Sequence, residues 1–376
     1  MSRHALLTTS DAERWKAALP AQVCVMGSLE LTRATEARTG CAARLLVAEL
    51  ADGARVVYPF FLRPISALPF ARALGEGLFD TFTPEYTGPL YVGKGPASAA
   101  DARSFARVAD ASLRAAGVVA EFAHLSPWHA ELGCLDASGV VPDRDLVWLD
   151  LTRGEDGIWS QSFSSDARRM VRQSQRAGVA VRRAHSREDV LQFHRLHAAT
   201  MLRREAPDQY CYPSEYFLSL CETMPDHCLI LLAEHGGRAV AGGLLFHDAN
   251  DVYWHLSAAD LQYARVRPVN AYVFEMIRWA MGAGKRRLLC GGGHYGRDDG
   301  IFRFKASLSP LRAKFHVYKR IHDPELYRAL VRARWGSLAV PIREPFFPAY
   351  RASPEPPPRP SPPGDDAAPK SAGLGV

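Results

Sequence analysis

No apolar run in the 376-residue chain approaches the roughly 20 residues that a membrane-spanning helix needs, so a helical span is not expected. The opening stretch, Met1 to Trp15, holds no apolar core of the kind a secretory leader carries. The seven cysteines are odd in number, scattered, and form no Cys-x-x-Cys pair. That speaks against a disulfide framework or a zinc site and for a reducing, cytoplasmic setting. His194 and His197 stand three apart without a supporting carboxylate or cysteine, so they are not read as metal ligands. No metal and no cofactor is expected, and no internal repeat is visible.

What the chain has is arginine, well in excess of lysine, and a formal net charge of +6. A basic balance suits an anionic partner such as nucleic acid, a nucleotide or a phosphorylated substrate. The alternative source of the same balance is the drift of a GC-rich genome towards Arg and Ala. The length exceeds one ordinary core and fits two domains of about 150–170 residues with a tail. The divisions expected are 1–155, 156–345 and a Pro-rich disordered tail over 346–376. The last 26 residues, from Arg351, hold eight prolines and almost no large apolar groups to offset the entropy of ordering.

Within the first segment, 43–49 and 54–61 read as a hairpin around Asp52-Gly53. A helix is expected over 101–116, stopped by Gly117, then strands at 118–124 and 145–150. In the second segment Asp166 is the expected N-cap of a helix ending near Ala177-Gly178. A strand at 179–183 follows, then a helix capped by Ser186 running to about Arg204, and a short helix at 216–223. A second hairpin joins 227–234 to 239–247 through Gly236-Gly237. A strand at 251–258 leads to a helix opened by Pro268, where the missing proline N–H is not needed. Strands are expected at 287–290 and 313–318. The order is α/β (α+β), two tandem domains, each a mixed sheet flanked by helices.

Three constellations carry chemistry. Arg168, Arg172 and Arg176 recur every four residues and share one helix face. Such a row can fork onto successive phosphates of tRNA, or simply be a solvated face. Arg265 and Arg267 precede the helix of Pro268 and Asn270, whose first N–H groups are free for an anion. The third is Cys290-Gly291-Gly292-Gly293, which permits close backbone approach, followed by Asp298, Asp299 and then Phe302-Arg303-Phe304-Lys305. A lysine beside aromatics at the end of a core can hold a developing oxyanion. Asp298 or Asp299 is a candidate base, or a loop carboxylate pairing with Arg297 or Arg303. Tyr253 and His255 are candidate substrate-binding residues, or packed core.

From about Arg168 to Phe315 the chain resembles the FemABX-like transferases that use aminoacyl-tRNA, and their short GNAT-like relatives. The resemblance rests on the Arg-rich helix before Ala177-Gly178-Val179, on Phe193-His194-Arg195-Leu196-His197, and on Leu232-Ala233-Glu234. It continues through Ala239 to Gly243, Tyr253-Trp254-His255-Leu256-Ser257 and Arg267-Pro268-Val269-Asn270, and ends on Gly300 to Lys305. The first half resembles the family more loosely, at Pro59 to Arg63 and Thr87-Gly88-Pro89-Leu90. The resemblance implies paired GNAT-like domains around a cleft. It implies transfer of an amino acid from charged tRNA to an amine of a peptidoglycan precursor or of a small molecule in an antibiotic pathway. It assigns Lys305 to the tetrahedral oxyanion and Phe304 to the acyl carbonyl. Beside them the residues themselves offer Asp299 as a catalytic candidate and Gly292, Gly293 and Arg303 as candidates for binding substrate or donor. The long helical arm of some cell-wall members is missing, which weighs against a peptidoglycan precursor as acceptor. The Gly-rich pyrophosphate loop of CoA-dependent relatives is absent at 263–270, which points away from acyl-CoA. Acyl-CoA transfer and non-catalytic RNA binding stay open as alternatives.

Overall fold

The computed structural model describes residues 4–19, 24–50, 53–74, 77–293, 296–338 and 346–352. The strands are β1 (His4–Leu7), β2 (Ala42–Glu49), β3 (Arg55–Pro64), β4 (Phe79–Phe82), β5 (Leu90–Val92), β6 (Val118–Leu125) and β7 (Val140–Asp150). They continue with β8 (Ala180–Arg183), β9 (Cys228–His235), β10 (Arg238–His247), β11 (Asp251–Ala259), β12 (Arg287–Gly291) and β13 (Arg312–Ile321). The helices are α1 (Ala12–Ala18), α2 (Leu29–Thr39), α3 (Ala99–Ala115), the short α4 (Gly154–Gly157), α5 (Ser165–Arg176) and α6 (Arg187–Arg203). After them come α7 (Ser214–Thr223), α8 (Pro268–Gly282), α9 (Gly300–Ala306) and α10 (Pro324–Trp335). None is long and apolar enough to cross a membrane among the described residues.

Both expected hairpins form. β2 pairs antiparallel with β3, and β9 with β10. Gly236 and Gly237 both take positive φ, 59° and 75°, the turn that matches strand twist and that side chains resist. Ser186 caps α6 in a reciprocal box with Asp189, which satisfies two free N–H groups at once. The cap of α5 is Ser164, whose side chain accepts from Ala167 N at 3.1 Å. The expected cap, Asp166, instead sits in the first turn and pairs with Arg169 at 2.8 Å. Both residue types can cap, and Ser164 wins because its neighbour Phe163 is buried and fixes the entry of the chain.

All thirteen described strands join one mixed sheet, ordered β1-β2-β3-β4-β6-β13-β7-β12-β11-β10-β9-β8, with β5 on β3. β13, late in the chain, lies between β6 and β7 and pairs antiparallel with both. The sheet therefore runs without a break across the point where a boundary near 155 is expected. This pairing also explains why β7 starts at Val140 rather than at Asp145, since Val140 is paired with Tyr318. One apolar cluster packs α6 and α7 against the sheet and reaches Trp15, Phe61 and Phe315 in the other half. A second packs α5 and α8 on the opposite face.

The tail expected from 346 begins as packed structure. Tyr350 is buried and its hydroxyl donates to Asp80 Oδ2 at 3.1 Å. Arg351 Nε pairs with the same oxygen at 2.5 Å, and Arg63 meets the other oxygen of Asp80 at 2.7 Å. A short composition-poor stretch can order when a buried carboxylate receives its charge. The rest of the expected tail, from 353, lies outside the described residues.

Candidate active site

The site begins where two neighbouring strands part. β11 and β12 run parallel but pair only over Asp251–Tyr253 and Arg287–Leu289. Beyond that point β12 keeps its pairing with β7, Gly291 facing Val147, while β11 stays with β10. An opening is left between Trp254 onward and Cys290 onward. Along β10, Leu244 pairs with Leu256 and Leu245 with Trp254. His255 is thus an extra residue on β11, a bulge that re-aims its side chain.

α9 carries Lys305 to this opening. Sequence patterning missed the helix because it spans only 7 residues, too few for a periodic signal. Asp299 caps it, accepting from Phe302 N at 2.8 Å. The residue weighed as a base therefore serves the helix that presents the lysine. Lys305 Nζ donates to Gly292 O at 2.8 Å and lies 5.8 Å from the centre of the Trp254 ring. The Phe304 ring meets Trp254 edge to face at 6.3 Å. Burial pulls the Lys305 ammonium below the ordinary lysine value, opposed by the fields of Cys290, Glu85 and Asp299. A partly desolvated cation of this kind acts more strongly on a neighbouring charge than one in water.

The glycines after Cys290 differ in purpose. A Cβ at Gly292 would meet Arg144 Cδ at 3.1 Å, and one at Gly293 would come within 2.1 Å of Arg297 O. Both positions are bare so that the loop can pack, with Gly292 O turned to Lys305. Arg303 is exposed and reaches Asp298 only at 4.0 Å.

At the head of α8, Arg267 adopts a left-handed conformation, φ 56° and ψ 46°, just before Pro268. Its Nε and the side-chain Nδ2 of Asn270 are buried without a hydrogen-bond partner among the described residues. Unpartnered donors at a helix N-terminus make a plausible anion seat. Arg265 is exposed and its carbonyl accepts from Gln173 Nε2 at 2.7 Å, which ties α5 to this seat.

The arginine row on α5 does not stay together. Arg168 Nη1 donates to Trp159 O at 3.1 Å and Phe163 O at 2.6 Å, so it closes the turn before its own helix. Arg172 lies over the Trp159 ring at 5.3 Å. Arg172 and Arg176 remain exposed. Two of the three can meet phosphate, not three.

Tyr253 and His255 face the other side of β11, towards the first half of the chain. Tyr253 is buried and stacks on Tyr86 at 6.1 Å. His255 touches Phe246 at 4.9 Å and Tyr212 at 6.3 Å, and its Nε2 has no partner among the described residues. Burial lowers its pKa, with Glu85 opposing and Arg38 adding to the shift. Three neighbours here carried no sequence signal as a group. Arg38 sits over the Tyr212 ring at 4.8 Å. His197 is 1% exposed with both ring nitrogens unpartnered among the described residues, and burial pushes its pKa down to about 4. Glu85 is exposed at the rim. This is a polar chamber with two imidazoles, His197 and His255, whose pKa values burial lowers, and the Glu85 carboxylate at its mouth.

Among the described residues, His129, Asp248 and Asp251 come close enough to hold a cation. Arg287 already meets both oxygens of Asp251, at 2.6 and 2.8 Å, so the positive charge there is a guanidinium.

Residues 161–306 match the family described as an acetyltransferase (GNAT) domain. The fold is similar to a crystal structure of FemX, with a TM-score of 0.67 and 13% identity over 87% of this chain and 99% of that one. It is also similar to the C-terminal domain (DUF2156) of a putative lysylphosphatidylglycerol synthetase from Agrobacterium fabrum, with a TM-score of 0.52 and 14% identity over 86% and 96% of the two chains. A conserved protein of unknown function from Bacteroides thetaiotaomicron VPI-5482 gives a TM-score of 0.53 at 11% identity over 85% and 100%. No curated protein matches the sequence. Residues 161–306 are thus similar to a GNAT acetyltransferase domain, and the single long mixed sheet of the chain has the fold seen in FemX.

Proposed function

We propose that this chain forms an amide bond by moving an aminoacyl group from charged tRNA to an amine of a small molecule or of a peptidoglycan precursor. The observation that carries the reading is Lys305, whose ammonium is hydrogen-bonded to Gly292 O at the mouth of the β11–β12 opening. The donor ester is already activated, so the protein must position the amine and stabilise charge. The amine lone pair attacks the ester carbonyl, and the carbonyl π electrons move to oxygen. The Lys305 ammonium faces that oxygen, and Phe304 with Trp254 walls the acyl group. The intermediate collapses with loss of the ribose oxygen, which takes the proton released by the amine through its vicinal hydroxyl. The products are the amide and uncharged tRNA.

Three features support tRNA as donor. The Gly-rich pyrophosphate loop is absent at 263–270. Pro268 removes one N–H from the helix head that such a loop would complete. Arg172 and Arg176 lie exposed on α5, which Gln173 ties to that head. The likeness to FemX agrees with this reading.

A second reading, an acyl-CoA donor, is favoured by the match to an acetyltransferase domain. Binding separates the two. A stable amide analogue of 3′-aminoacyl-adenosine carrying the terminal CCA should raise the melting temperature, and CoA should not. A shift with CoA alone would replace the first reading by the second.

A further inference from the structure

We propose that Tyr86 is a second catalytic residue of this site, its hydroxyl donating together with Lys305 to the oxygen of the reacting carbonyl above Gly291. The proposal rests on the acyl-transfer reading of the site, whichever donor is used.

The geometry comes from opposite ends of the chain. An atom placed where a Gly291 side chain would begin lies 3.2 Å from Lys305 Nζ and 3.4 Å from Tyr86 Oη, with nothing else within 4 Å among the described residues beyond the immediate chain neighbours. Two polar hydrogens therefore converge on one small open volume. Gly291 has φ +84°, which side chains rarely adopt, so the volume is kept open both by glycine and by backbone shape. An oxygen there meets one ammonium and one phenol at near hydrogen-bond distance. That is the arrangement an oxyanion needs, with donors fixed before charge develops.

Tyr86 is held for this purpose at some cost. Its φ is +58°, a left-handed conformation that bulky residues avoid and that clusters at functional sites. The following residue fixes the turn. Thr87 N donates to His124 O at 3.1 Å, and Ser126 N donates to Thr87 O at 2.8 Å. The Thr87 hydroxyl donates to Pro84 O at 2.8 Å. The ring is clamped between Tyr253 at 6.1 Å and the edge of Phe315 at 5.6 Å. Its hydroxyl donates to no group among the described residues, so the proton is available for a ligand.

The phenol also keeps its proton. Burial raises the Tyr86 pKa well above the ordinary tyrosine value, with Glu85 adding to the shift and Arg144 opposing it. It acts as a neutral donor across the working pH range, beside a cation. A tyrosine that served only the core would need its ring and not its oxygen. Tyr86 comes from the first half of the chain and Lys305 from the second, so neither half holds the complete oxyanion site.

The test is Tyr86→Phe, which keeps the ring, the stack and the backbone. Single-turnover amide formation should slow by about 10²-fold, with the donor KM changed less than about threefold and the melting temperature unchanged. Tyr86→Phe combined with Lys305→Met should lose less than the product of the single losses, because both donors serve one oxygen. Full turnover by Tyr86→Phe, with Lys305→Met crippled, overturns the role of Tyr86 and leaves the transfer reading standing. Wild-type protein that forms no amide from either charged tRNA or acyl-CoA overturns the reading and the proposal together. Equal slowing and destabilisation of Tyr86→Phe would assign the hydroxyl to folding and also overturn it.

Discussion

Replacing Lys305 with Met separates the chemistry of the site from its folding. The substitution removes one ammonium and keeps a long unbranched stem beside Trp254. On the folding side, Gly292 O loses its donor, at 2.8 Å in the native site. A hydrogen bond from a charged group contributes about 1.5–3 kcal/mol. Against that loss stands the relief of a buried cation, since burial already pulls Lys305 below its ordinary pKa. A depressed lysine pKa means that the protonated form weakens the fold, so the neutral replacement recovers that part. The two effects oppose, and the melting temperature should shift by only a few degrees. Nothing offsets the loss in the transition state. A donor aimed at an oxyanion contributes about 2.7–4 kcal/mol, which is a fall of about 10²–10³ in kcat. The ground-state carbonyl carries little charge, so KM for the donor should hold. The assay is single-turnover amide formation at saturating acceptor, with a thermal melt on the same sample. Turnover within threefold of wild type in a folded variant would refute the role of the ammonium.

On the proposed mechanism the same lysine should set the alkaline limit of activity. Its cation is needed, so the rate is full below the folded-state pKa and falls as pH rises through it. That limb should lie below the ordinary lysine value of 10.5, and a kcat profile still flat at that value would contradict the account. Arg172→Ala and Arg176→Ala should each reduce the salt slope of tRNA binding by about 1. Arg168→Ala should leave the slope alone and lower stability, because two backbone carbonyls lose their donor; a filter-binding titration over salt distinguishes them. Tyr350→Ala should cost about 3–5 kcal/mol in urea unfolding, since the ring is fully buried and its hydroxyl reaches Asp80. A loss under about 1 kcal/mol would show that the segment after 346 does not hold the fold.

Local order was legible in the sequence, and distant order was not. The Gly236-Gly237 turn, the Ser186 cap and Pro268 at the head of α8 all follow from near-neighbour chemistry, and all three form. The position of β13 between β6 and β7 depends on pairing over more than a hundred residues, for which one sequence holds no signal. α9 was missed because about two helical turns between glycine and serine are too short to show a period. For the site, Phe304 and Lys305 stood out as a string, and the structure puts both beside Trp254. The arginine row was over-read, since spacing gives a shared face but not the carbonyls that capture Arg168. Tyr86, Arg38, His197 and Glu85 were invisible as a group because they lie on separate elements that meet only in the fold. Asp299 shows the limit in the other direction, for a carboxylate in a loop can be a base or a cap, and only Phe302 N decides.

The most direct test of the central claim is transfer of label from tRNA charged with a mixture of radiolabelled amino acids into a pooled amine extract, with an RNase-pretreated control. The account predicts label in an RNase-stable amide, with transfer abolished when the tRNA is digested first. Absence of transfer from tRNA, together with acylation of the same pool from acyl-CoA, would contradict it.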